Sequence, residues 1–338
     1  MRLHRLMLVS SLLWATAGEL TAQELKERAT FKGLRFPVNR AALSPDGKVL
    51  AAGGGDTRGG DLRLWHATTG EEIAALSGYS NSLMTLAFSP DGKWLASGGI
   101  GPIQVWDVST HMEVAAFKDL REWANLVAFS PDGKRLAATG GRQVKLWDVS
   151  SGKELASFRH RASMHGGLVF SPDLLTFAAR NYQEIDLWDL AAAKELATFS
   201  EHRGEVGCLT YSAEGKTLLA TSTRYYDRRF TWQGDVKLWD MATGRERASF
   251  EKGFGRVIAA TLSPDGKTIA LLDSREWHAE ADLKLLDVAT GRQRVITVPP
   301  STSFLSLHFT ADGELYVVGD SSDGLRLWEV PSPTANAK

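Results

Sequence analysis

The sequence predicts an all-β protein in which seven four-stranded antiparallel blades close into a ring, a seven-bladed β-propeller. Three observations predict it. A turn motif recurs seven times, a tryptophan-centred strand follows each turn at a near-constant spacing, and the N-terminus carries a strand that the last repeat lacks.

The turn motif is clearest as Ser89-Pro90-Asp91-Gly92-Lys93, and it returns at Ser44 to Lys48, Ser130 to Lys134 and Ser263 to Lys267. Degenerate copies stand at Ser171 to Leu175, Ser212 to Lys216 and Thr310 to Glu314. Proline presets φ for the second position of a type I turn, aspartate suits the third, and glycine takes the positive φ that lets a hairpin close with a bulge. Each copy therefore joins two strands.

After each turn comes an apolar strand ending in Trp-Asp or a relative: Trp65, Trp106, Trp147, Trp188, Trp239, Leu286 and Trp328. These positions advance by 41, 41, 41, 51, 47 and 42 residues. The common interval is that of a four-stranded propeller blade, and the two long ones mark insertions. Val144 to Val149 is apolar at both parities, as a strand packed on both faces must be. A further strand follows a short turn in each unit, as in Glu154 to Phe158, Glu195 to Phe199 and Glu246 to Phe250.

Glu27 to Phe31 reads as one of these fourth strands with no blade of its own, while the seventh repeat stops at Val330 without one. The N-terminal strand is therefore expected to pair with Leu325 to Val330. That pairing closes the ring and covers sheet edges that an open array would expose.

The joint recurrence of the Ser-Pro-Asp-Gly turn and the Trp-Asp strand resembles the WD40 repeat family over about residues 24 to 331, in the manner of an exported bacterial member. The resemblance implies that the strand before each Ser-Pro-Asp-Gly turn is the innermost of its blade. It implies also that the Trp strand is the third, and that a histidine, a serine or threonine and an aspartate join the tryptophan in a hydrogen-bonded network. Only His202 stands where that histidine belongs. Gly78-Tyr79 and Gly33-Leu34 lack the imidazole and Leu286 lacks the indole, so apolar packing is expected to dominate between blades.

The first residues differ from the rest. Arg2 and Arg5 precede an apolar run from Leu6 to Trp14 and then small residues, the order of a secretory signal peptide over residues 1–22, with cleavage after Ala17 or Ala22. The run is shorter than a membrane span requires, so the expected product is a propeller over residues 23–331, periplasmic or extracellular, with no integral membrane segment and a disordered tail over residues 332–338. Lys plus Arg number 39 against 40 Asp plus Glu, which gives no field for nucleic acid. The single cysteine, Cys208, is expected in an innermost strand as a small buried apolar residue.

The expected innermost strands, such as Leu83 to Phe88 and Ile258 to Leu262, supply no ring of carboxylates. Asp107, Asp148, Asp189 and Asp240 read as turn residues. His160 and His165 lack a third ligand for zinc, and no phosphate-binding or nucleophile-elbow motif is present. No catalytic residue, metal or cofactor is therefore assigned. Function is expected where the chain departs from its repeat, in the enlarged connections Thr221 to Gly234 and Asp273 to Ala281. These hold Arg224, Tyr225, Tyr226, Arg228, Arg229, Trp232, Arg275, Trp277 and His278, and the family arrangement sets them beside Trp123 and His165 on one face. Such residues are enriched at binding hot spots. The expected function is a non-catalytic interaction module for a protein or peptide, or a glycan; the alternative is a propeller hydrolase or oxidoreductase with its site in the same insertions.

Overall fold

The computed structural model describes residues 25–56, 59–76, 82–118, 120, 122–160, 168–200, 202–225, 232–274, 281–299, 303–321 and 324–331. These residues form seven four-stranded sheets. The third blade shows the plan: Ala124–Phe129, Arg135–Gly140, Gln143–Asp148 and Glu154–Arg159 pair antiparallel in sequence order. The innermost strands of successive blades lie side by side, and the seventh, Ser303–Phe309, lies beside the first, Val38–Leu43. The array is thus a closed ring.

Closure occurs where the sequence predicts it. Lys26–Phe31 pairs antiparallel with Gly324–Val330, placing Phe31 opposite Leu325 and Thr30 opposite Arg326. The seventh blade therefore takes its outermost strand from the start of the chain.

The predicted turn chemistry is visible atom by atom. Ser130 Oγ donates to Asp132 Oδ1 at 2.6 Å and accepts the Arg135 N–H at 2.9 Å, while Asp132 accepts the Lys134 N–H at 3.0 Å and Gly133 sits at φ 67°. The fourth blade places Leu174 at φ 52° in the equivalent turn, where its side chain is buried among Phe170, Phe177 and Trp188. The aspartates that follow the tryptophans also close turns. Asp148 accepts the Ser150 and Ser151 hydroxyls and the Ser151 N–H, contacts that favour the carboxylate and hold its pKa down to about 2.

Because strand side chains alternate between faces, each blade feeds two cores. Leu136 and Ala138 pack with Ile103 and Phe117 of the second blade, whereas Ala137 packs with Phe170 and Phe177 of the fourth. Trp65, Trp106, Trp147, Trp188, Trp239 and Trp328 are all buried. Apolar packing lines these joints, and indole bonds add to it: Trp106 donates to Ser97 Oγ at 2.9 Å and Trp65 to the Lys32 carbonyl at 3.3 Å.

In the fifth blade the His202 ring lies 5.9 Å from that of Trp239, and its Nδ1 is 3.7 Å from Asp235 Oδ1. Burial of Asp235 opposes its charge, but His202 and Ser222 outweigh it and hold the carboxyl below its ordinary range. The sixth blade, with Leu286 in place of tryptophan, contains a different polar device: Lys284 Nζ meets Asp273 at 2.8 Å and the Gly253 carbonyl at 2.6 Å, with both side chains fully buried.

Two expectations require correction. The segment Thr221 to Gly234 is not simply a loop, because strands Thr217–Tyr225 and Trp232–Asp240 stay paired up to Tyr225 opposite Trp232; the insertion lengthens a hairpin. Cys208 is half-buried rather than buried, because its side of the innermost strand faces the central channel.

Candidate functional site

Every innermost strand starts on the same face of the ring, and the hairpins joining second to third strands turn on that face. The lengthened fifth-blade hairpin therefore projects there, with Arg224 exposed near its end and Trp232 half-buried opposite Tyr225. Arg256, first residue of the sixth innermost strand, sets its guanidinium carbon 5.9 Å from the Trp232 ring centroid. Across the channel mouth Arg180 donates to the Val206 carbonyl at 2.7 Å and pairs with Glu205 at 3.2 Å.

Trp232, Arg256, Arg180 and Glu205 line a cavity of about 700 Å³ in the channel, whose wall also includes Cys208, Ile258, Leu305 and Leu307. Burial pushes the Cys208 thiol above its ordinary range, so it is protonated at neutral pH, and its Sγ donates to the Ile258 carbonyl at 3.4 Å. The rim sets the Trp232 ring, Arg256 and the Arg180–Glu205 pair over a wall that mixes polar and apolar side chains.

Of the residues singled out from the sequence, Trp123 is 56% exposed immediately ahead of the third innermost strand, on the same face. Trp232 and Arg224 lie as described. His165, Tyr226, Arg228, Arg229, Arg275, Trp277 and His278 fall outside the described residues. His160 is buried against Phe177, ring centroids 5.3 Å apart, with neither nitrogen hydrogen-bonded. Among the described residues no group of three His, Cys, Asp or Glu side chains is placed to hold a metal.

Sequence reasoning missed Arg180, Glu205 and Arg256, which lie in regular strands and show no departure from the repeat. It missed Tyr182 as well, which is 73% exposed at the fourth-blade hairpin tip with φ 59°. A signal for Tyr182 existed: it occupies the position of Gly141 in the third blade.

A model of the family "WD domain, G-beta repeat" matches residues 25–66, 70–101, 123–148 and 193–240. The first and last of these segments join the outermost strand of one blade to three strands of the next. These matches, together with the seven-bladed ring, support a WD40-type propeller family. Comparison with curated proteins gives no match. WD40 propellers are typically scaffolds for protein interaction and generally not catalysts. The fourth, sixth and seventh blades of this WD40 propeller complete the ring outside most of the matched segments, and they include the copies in which Leu174 replaces the turn glycine and Leu286 the tryptophan. No helix among the described residues is long and apolar enough to cross a membrane.

Proposed function

We propose that this WD40 propeller is a non-catalytic interaction module acting outside the cytoplasm, and that it holds a protein or peptide partner on the face bearing Trp232, Arg224 and Trp123. The observation that carries the reading is Trp232 at the rim of the channel cavity with Arg256 beside its ring. An aromatic plane next to a guanidinium combines large burial with a charged handle, the combination found at interface hot spots. Export rests on Arg2, Arg5 and the apolar run from Leu6 to Trp14.

The test is affinity capture from the native host's exported fraction with the tagged mature protein, followed by mass spectrometry. Trp232→Ala and Trp123→Ala are expected to lose the main co-eluting protein while melting like the parent. Retention of every captured protein by both variants would remove the face assignment. Turnover of an ester, lactone or glycoside by the purified protein would replace the non-catalytic reading. An intact N-terminus at Met1 in the extracytoplasmic fraction, or absence of the protein from it, would remove export.

A further inference from the structure

We propose that Tyr182 is a partner-contact residue, the middle of an aromatic arc from Trp123 on the third blade to Trp232 on the fifth, and that the arc takes an extended acidic polypeptide. The proposal rests on the face assignment above and specifies its occupant.

The decisive comparison is internal. In the third blade Gly140 pairs with Gln143, and the hairpin turns through Gly141 at φ 57°. In the fourth blade Asn181 pairs with Glu184, and the same position is Tyr182 at φ 59°. The left-handed conformation suits glycine and is unfavourable for a bulky residue. In the third blade a Cβ on Gly141 would meet only the carboxylate end of the exposed Glu122 side chain, which can turn away, so the two positions differ in residue type rather than in the space available.

Burial does not compensate Tyr182 as it does Leu174. The tyrosine is 73% exposed, and its backbone carbonyl accepts the Val206 N–H at 2.8 Å. Glycine would make that bond equally well. A side chain kept in an unfavourable backbone state while contributing little to packing points to a role outside the fold.

Position and charge indicate the occupant. The Val206 bond fixes the Tyr182 turn beside Glu205 and Arg180 at the channel mouth, between the blades of Trp123 and Trp232. Arg142 is exposed in the third-blade turn, and Arg224 is exposed in the paired part of the fifth-blade hairpin, opposite Gln233. Glu205 and Glu251 are engaged by Arg180 and Arg203 at 3.2 and 2.9 Å, while Glu122, next to Trp123, is an exposed carboxylate on the same stretch. Aromatic side chains on three successive blades with exposed guanidinium groups between them complement a chain alternating acidic and apolar residues.

The test measures fluorescence anisotropy of a labelled peptide alternating glutamate and leucine, with a lysine–leucine peptide and an oligogalacturonate as comparisons. The acidic peptide is expected to bind, and the lysine peptide is not. Tyr182→Gly is expected to weaken binding about fivefold or more, with a melting temperature level with the parent or higher. A fall in melting temperature would make Tyr182 structural and overturn the proposal. So would unchanged binding by Tyr182→Gly, absence of acidic-peptide binding, or Tyr182-dependent binding of the oligogalacturonate alone. If Trp232→Ala weakens the peptide and Tyr182→Gly does not, the arc fails while the face survives; if neither does, the face fails too.

Discussion

Phe31, on the first strand of the chain, packs edge-on against Trp65 with ring centroids 5.8 Å apart. The same residue pairing recurs with other ring angles: Phe117 is tilted on Trp147 at 5.1 Å, and Phe158 and Phe199 stack on Trp188 and Trp239 at 5.6 and 4.9 Å. In each, an outermost-strand phenylalanine meets the third-strand tryptophan of the next blade. The joint that closes the ring is thus chemically an ordinary joint, although its strand comes from the far end of the chain.

Removing that joint should open the ring. Phe31→Ala is expected to cost about 3–5 kcal/mol through the cavity it leaves, and deletion of residues 24–31 should lower the melting temperature further because Gly324–Val330 loses its strand partner. Urea titration of the point variant and calorimetry of the deletion check this. An unchanged melting curve for the deletion would contradict closure through this strand.

The sixth blade should be sensitive to its buried ion pair. Asp273→Ala leaves the Lys284 ammonium buried without its carboxylate, and breaking such pairs costs about 3–5 kcal/mol. Asp273→Ala with Lys284→Met should cost less than Asp273→Ala alone, because no unpaired charge remains. Denaturant titration of both variants decides it; a double variant no more stable than the single would contradict the account.

His160 should make the fold acid-sensitive. Burial, reinforced by Arg142, pushes its pKa down to about 4 from an ordinary 6.5. The folded state then binds fewer protons than the unfolded one between these values, so stability is full above pH 6.5 and falls as pH drops towards 4. The loss is at most about 3 kcal/mol. His160→Leu should reduce the slope of the stability–pH curve in this window without abolishing it, because burial holds the pKa of His308 down to about 4 as well; urea midpoints at several pH values measure the change. A slope identical to the parent's would remove His160 as its source.

A fourth expectation concerns the fourth blade. In the first, third and fifth blades a third-strand cation meets an outermost-strand glutamate: Arg63–Glu72 at 2.7 Å, Lys145–Glu154 at 2.6 Å and Lys237–Glu246 at 2.5 Å. Asp186 occupies the cation's place, and burial together with the charge of Glu195 raises its pKa. Asp186→Asn should stabilise the protein by about 0.5–1 kcal/mol at neutral pH by removing a like-charge pair. The gain should shrink on acidification, where the parent's Asp186 becomes protonated. Thermal melts at pH 7.5 and 4.5 measure the difference, and a gain that grows in acid would contradict it.

The blades were legible because their signals are local. A Ser-Pro-Asp-Gly turn needs only its own residues, as the bonds of Ser130, Asp132 and Gly133 show, and the pairing of Lys26–Phe31 followed from a strand surplus at one end and a deficit at the other. Trp232 and Arg224 were legible as departures from the period. Arg180, Glu205 and Arg256 were not, since each sits in a regular strand of a different blade and they meet only through the ring.

By itself, then, the sequence determined the number of blades, their turns and the seam, because covalent spacing and backbone preference act over a few residues. Tertiary structure decided that the fifth-blade insertion would extend a hairpin, that Cys208 would face the channel, and that Lys284 would find Asp273. It decided also that Tyr182 would stand exposed in a left-handed turn beside the mouth. These outcomes depend on how neighbouring blades approach one another in space, a quantity that no period along the chain encodes.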